Sequence, residues 1–180
     1  MRATPNPQRG LHSGASPVQL ALLLPFFILI GLGFVEGGLV IRDYLAVSAA
    51  TRAGAGAAAA AGRSISADCA AVAAVVSSLG SAGVESLDRI EVFRGNKSGA
   101  QVSTATNVYH YRFGDPVVCS SWESIVAWSP SVRHAVAGDG PLDQVGVRVV
   151  LDHGFASGVP PFAGVVTIDE AATTGLIPED

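Results

Sequence analysis

From Val18 to Val35 the chain reads "VQLALLLPFFILIGLGFV", with Gln19 its one strongly polar side chain, and after Glu36-Gly37-Gly38 the apolar character resumes as Leu39-Val40-Ile41 before Arg42-Asp43. Taken to Ile41 this is about 24 residues, or about 36 Å of helix, enough to cross a hydrocarbon core of ~30 Å. A secretory signal has a shorter apolar core, roughly 7–15 residues, followed closely by a small-residue cleavage site. Here the run passes into Glu36, Arg42 and Asp43, and the best small-residue candidate, Ala46-Val47-Ser48-Ala49, lies far from it. A retained membrane anchor is therefore the stronger reading and a discarded signal peptide the weaker. Composition agrees, since 49% hydrophobic residues and a mean hydropathy of +0.42 are high for a purely soluble chain of 180 residues.

The flanking charges give the anchor a direction. Arg2 and Arg9 precede the run with no acidic residue before it, and positive charge is retained on the cytoplasmic side. This predicts a single-pass protein of the cytoplasmic membrane with its N-terminus inside and residues 43–180 outside. Of the net charge of −4, the two N-terminal arginines hold +2, so the remainder is acidic and offers no basic patch for nucleic acid. Pro25 lies inside the run, where a membrane helix tolerates it. Glu36 falls near the outer boundary of the span and has two readings, a carboxylate that snorkels to the interface or one that pairs with a partner subunit.

Beyond the span, "YLAVSAATRAGAGAAAAAG" (44–62) is dominated by alanine, the best helix former, so the helix is expected to continue past the membrane. Gly54 and Gly56 allow a frayed linker, but runs of Ala and Gly also let another helix approach closely, and that packed face is the preferred reading. Residues 64–80 form a second amphipathic helix, with Ser66 or Asp68 able to cap its start, Cys69, Val72, Val76 and Leu79 at helical spacing, and Gly80 at its end. The period then changes to two. Ile90 and Val92 alternate with Arg89 and Glu91, "GNKSG" reads as a turn, Tyr109, Tyr111 and Phe113 share a face, Val145, Val147, Val149 and Leu151 share another, and residues 163–169 supply a fourth strand. The expected fold is α+β: a long N-terminal transmembrane helix, then a small extracytoplasmic domain of about 115 residues with the second helix packed on an antiparallel sheet of about four strands. Trp122 and Trp128 are expected to cover a sheet edge or the core.

Cys69 and Cys119 both lie in the segment placed outside, where a pair is more often a disulfide than two free thiols. The alternative is a buried helical Cys69 and an unrelated Cys119. Histidines at 12, 110, 134 and 153 show no metal-ligand spacing, no G-x-S-x-G elbow is present, and "GAGAAAAAG" lacks the Lys-Ser/Thr of a phosphate loop. Asp152 and His153, adjacent in a strand, point to opposite faces and so do not form an acid–imidazole pair. A Ser/His/Asp triad assembled from distant positions stays open, but the sequence gives no positive evidence of a catalytic, metal or cofactor site.

The N-terminal half resembles the TadE-like proteins of tight-adherence (Tad) pilus systems. The residues that carry the likeness are Gly14-Ala15, Val18-Gln19-Leu20-Ala21, the apolar run with Pro25, Glu36-Gly37-Gly38, and Ala49-Ala50-Thr51-Arg52-Ala53-Gly54. Residues 143–155 and the terminal "LIPED" add a looser likeness. The family commonly reads Val-Glu-Phe-Ala where this chain has Val18-Gln19-Leu20-Ala21. The resemblance implies a basic leader (1–14) cut between Gly14 and Ala15 by a prepilin peptidase, an anchor helix with its extension (15–62), and an outer domain (64–180). It implies a role for position 19 in processing or docking, and partners among membrane lipid and other pilin or pilus-assembly subunits. The function it implies is non-enzymatic: a membrane-anchored pseudopilin-like protein that helps assemble a surface pilus. A single-pass protein whose outer domain binds a cell-envelope ligand without joining a filament is the competing expectation.

Overall fold

The computed structural model describes residues 17–96, 98–111, 119, 122–135 and 141–177. Helix α1 (Pro17–Ala61, 45 residues) continues through Pro25. By its contacts the chain falls into two compact units, Met1–Val35 and Glu36–Asp180.

Within the first unit α1 is apolar on every side. Val18, Leu20, Leu22, Leu23, Phe26 and Phe27 are each more than half exposed, the pattern of a helix whose surroundings are themselves apolar. The helix is long and apolar enough to cross a membrane.

In the second unit the same helix becomes one-sided. Its buried positions, Glu36, Val47, Ala50, Thr51, Gly54, Ala55, Ala58 and Ala59, recur at three and four residues from Val47 on and form one stripe. Small residues are there because other elements come close. A Cβ built on Gly54 would sit 2.6 Å from Val75 Cγ2 and 3.2 Å from Val147 Cγ1, so only hydrogen fits between α1, the second helix and the sheet. Gly54→Val should therefore lower stability by about 1–3 kcal/mol through overpacking. Gly56→Ala, which meets nothing within 4 Å, should raise stability slightly through helix propensity. Thermal melts of the two variants in detergent check the contrast.

Helix α2 (Ala67–Glu85) starts after Ser66, three residues later than the 64–80 expected, and no side chain caps it. Asp68 is engaged elsewhere, as described below. Gly80, with φ +68°, breaks the regular helix as expected, and a further turn then carries α2 to Glu85. The sheet is antiparallel, in the order β3-β2-β1-β4-β5: β1 Leu87–Gly95, β2 Gln101–His110, β3 Glu123–Ile125, β4 Gln144–Gly154 and β5 Val165–Gly175. The expected antiparallel sheet is present with a fifth, three-residue strand, β3, added at the edge. Strand β2 begins at Gln101, earlier than the aromatic alternation suggested. The turn before β2 is held by Asn96, whose Oδ1 accepts from the Ser98 and Ala100 amides at 2.9 and 3.0 Å.

One sheet face carries the core. Ile90, Val92, Val145, Val147 and Val149 are fully buried there with Ala71, Val72 and Val75 of α2. Trp122 and Trp128 are buried in the same core, and Trp122 meets the Tyr111 ring at 5.2 Å. The opposite face is a charge ladder in which Arg89 Nε donates to Glu91 Oε1 at 2.8 Å and Gln101 Nε2 donates to Glu91 Oε2 at 3.0 Å. Burial pushes the Glu91 carboxyl up, but these hydrogen bonds outweigh it and hold the group below its ordinary value.

The sheet runs beside the α1 extension. Ile177 N–H at the far end of β5 donates to Ala59 O, while the loop entering β5 bonds to Glu36. Helix from Glu36 to Ala59 is about 35 Å long at 1.5 Å per residue. The 11 residues of β5 reach about 36 Å at ~3.3 Å each. The two lengths are similar, and the bonds to the helix come from Ser157 in the loop before β5 and Ile177 just beyond it.

Candidate functional site

Glu36 and Asp43 lie seven residues apart on α1, two turns along one face. The end of β4 and the loop after it meet both. Glu36 Oε1 accepts from the Ser157 amide at 2.7 Å and Oε2 from the Ala156 amide at 3.2 Å. His153 Nδ1 donates to Asp43 Oδ2 at 2.7 Å. The carboxylate has only lone pairs to offer, so Nδ1 carries the proton in this bond. Sequence reasoning set His153 aside because Asp152 points away from it, and Asp152 does point away, accepting from Thr167 Oγ1 at 2.8 Å on the other face. What it missed is that His153 shares the parity of Val145, Val147, Val149 and Leu151. That parity was the available signal that it faces α1.

This clasp joins parts of the chain 110 to 121 residues apart. Glu36 is 2% exposed and accepts both of these bonds from its own chain. The Asp43–His153 pair has the geometry of an oriented imidazole, and among the described residues its buried Nε2 has no hydrogen-bond partner, hydroxyl and thiol included. A cavity of ≈ 250 Å³ beside it, lined by Arg42, Asp43, Ala46, Leu79, Gly83 and Leu151, is below the ~300–1,000 Å³ usual for small-molecule sites. Its chemistry is that of a fastening. Glu36→Ala should leave the helix intact and raise amide hydrogen exchange at Ala156 and Ser157 above all other positions, since each amide loses its charged acceptor.

Burial pushes the Asp43 carboxyl up, but hydrogen bonds from His153 and then Arg42 outweigh it and hold it below the ordinary 3.8. Glu91 is shifted in the same direction. A depressed carboxyl contributes stability above its unfolded value that is lost as pH falls through its folded value. Melting temperature should therefore drop below about pH 4, and the drop should be shallower in Asp43→Asn and Glu91→Gln.

A second polar node sits in the core. Asp68, in the first turn of α2, accepts from Asn107 Nδ2 at 2.6 Å and Tyr109 Oη at 2.8 Å and forms an ion pair with Arg133. Arg133 is fully buried, its guanidinium 4.4 Å from the Trp128 ring centroid. Asn107 Oδ1 also accepts from the Ala127 and Trp128 amides at 2.8 and 2.7 Å. The loop before β4 is thus pinned under the sheet. Burial and the Asp68 charge both push the Tyr109 hydroxyl pKa up. Nearby, Cys69 and Cys119 form a disulfide.

Gln19 lies on the exposed apolar part of α1. Gly14 and Ala15, the expected cleavage junction, lie outside the described residues, as do His12 and Phe113. His110, His134 and His153 are not brought together, and among the described residues no group of three or more His, Cys, Asp or Glu side chains could hold a metal ion.

Fold and site together define a class: a small disulfide-bonded α+β unit carried on the continuation of a helix long and apolar enough to span a membrane. The family model for TadE-like proteins matches residues 14–56, the span and most of its extension. That segment is similar to TadE-like proteins. No curated protein and no solved structure matches the chain.

Proposed function

We propose that the protein is a membrane-anchored, non-enzymatic, pseudopilin-like subunit that takes part in assembling a Tad-type surface pilus. The observation that carries this reading is the TadE-like match over residues 14–56, which covers the junction, the apolar span and the start of the small-residue stripe. A prepilin peptidase cuts between Gly14 and Ala15, in front of the apolar helix, so the anchor is kept. The N-terminus faces the cytoplasm and residues 43–180 lie outside, where the Cys69–Cys119 bond is chemically at home. An all-round apolar helix is suited first to lipid and then to a bundle of similar helices.

The reading is tested in cells with a photo-crosslinking amino acid at Leu23. Adducts to other pilin or pilus-assembly subunits are the expected result, and their loss when the pilus genes are removed is the control. Adducts to lipid alone would leave a solitary anchor and contradict it.

A further inference from the structure

We infer that the loop from Gly154 to Val166 is a second membrane-contacting element, lying in the headgroup region of the leaflet from which α1 emerges; this rests on the reading of α1 as a membrane span. If the span starts at Val18, ~30 Å of hydrocarbon is crossed by about 20 residues. That places Glu36 at the boundary between acyl chains and headgroups. Glu36 is also what holds the loop, through the Ala156 and Ser157 amides. The loop is therefore moored at interfacial depth by a bond within its own unit.

Its composition suits that depth. From Gly154 to Ile168 no residue is charged, although the neighbouring sheet face is laced with Arg, Asp and Glu. Apolar side chains are turned outward: Val159 is 46% and Val165 63% exposed, and Pro160 and Pro161 are exposed between them. The tip keeps this form through its own bonds, with Phe162 N–H donating to Val159 O at 2.7 Å and the Phe155 and Phe162 rings 6.3 Å apart. The apolar skin continues onto Val166 and, across a groove, onto Ile41 of α1, which is 62% exposed. An uncharged, outward-facing apolar tip at the end of a membrane helix gains by entering the interface and would otherwise be exposed to water beside it.

The test uses the full chain in vesicles of phosphatidylcholine and phosphatidylglycerol, with an environment-sensitive fluorophore on Val159→Cys and lipids carrying quenchers at shallow and deep positions. Cys69 and Cys119 are paired, so the introduced thiol is the one labelled. The same label on Phe27→Cys reports the span, and on Ser131→Cys reports the body of the domain. The inference expects a blue-shifted Val159 label, quenched severalfold more by shallow than by deep quenchers, and an unquenched Ser131 label. An unquenched Val159 label beside a deeply quenched Phe27 label would overturn the inference and leave the anchor standing. An unquenched Phe27 label would overturn the anchor, and the inference with it.

Discussion

Arg133→Met should destabilise the protein by about 3–5 kcal/mol, the cost of leaving the buried Asp68 charge without its cation. Both partners are in the interior, with side-chain exposures of 0% for Arg133 and 4% for Asp68, so water cannot stand in for the guanidinium. A methionine keeps much of the volume, and the loss therefore reports charge more than packing. The double variant Arg133→Met/Asp68→Asn should recover part of the loss, because the amide oxygen still accepts from Asn107 and Tyr109 while the uncompensated charge is gone. Denaturant melts of the three proteins decide the matter. A double variant as unstable as the sum of the two single ones would show that the pair is not coupled.

Cys69→Ser/Cys119→Ser should cost about as much by a different route. The bond joins residues separated by 50 positions, and on the chain-entropy model closing a loop of that length stabilises by about 4 kcal/mol. It ties α2 to the segment before β3. The core it supports is narrow, since the α1 stripe is mostly alanine and glycine and offers less apolar area than a stripe of leucines. Melting in the presence and absence of reductant measures the effect on the unmodified chain. An unchanged midpoint would mean that the core alone holds the domain.

How much of this was legible in the sequence depends on the range of the signal. The candidate span was plain because an uncharged run of such length has few homes. The close-packed alanine and glycine face was legible for the same reason: small side chains in helical register serve little except close approach, and Gly54 is where the approach is tightest. Strands β1 and β4 were carried by alternation, and β5 was expected over 163–169 but runs from Val165 to Gly175. Strand β3 was not, because three residues hold too little pattern, and the start of β2 was hidden because Ser103, Thr104 and Thr106 mask the period that Tyr109 shows.

The polar sites were the least legible. Asp68 stands where a helix cap can stand, and local reasoning offered it as one beside Ser66, whereas its partner Arg133 is 65 residues away. Glu36 and Asp43 find their partners after more than a hundred residues, at the end of a strand whose register decides which side chains arrive. A buried polar group must be paired, but the sequence does not say with what until the sheet is built.

The central claim, a helix retained as an anchor after a cut in front of it, is tested most directly by the mass of the mature N-terminus in the membrane fraction of cells that make the pilus. The account predicts a chain that begins at Ala15 and stays with the membrane. A membrane-bound chain that still begins at Met1 or Arg2 would contradict the pilin-type processing, and a chain released into the medium with a start near Ala50 would contradict the anchor itself.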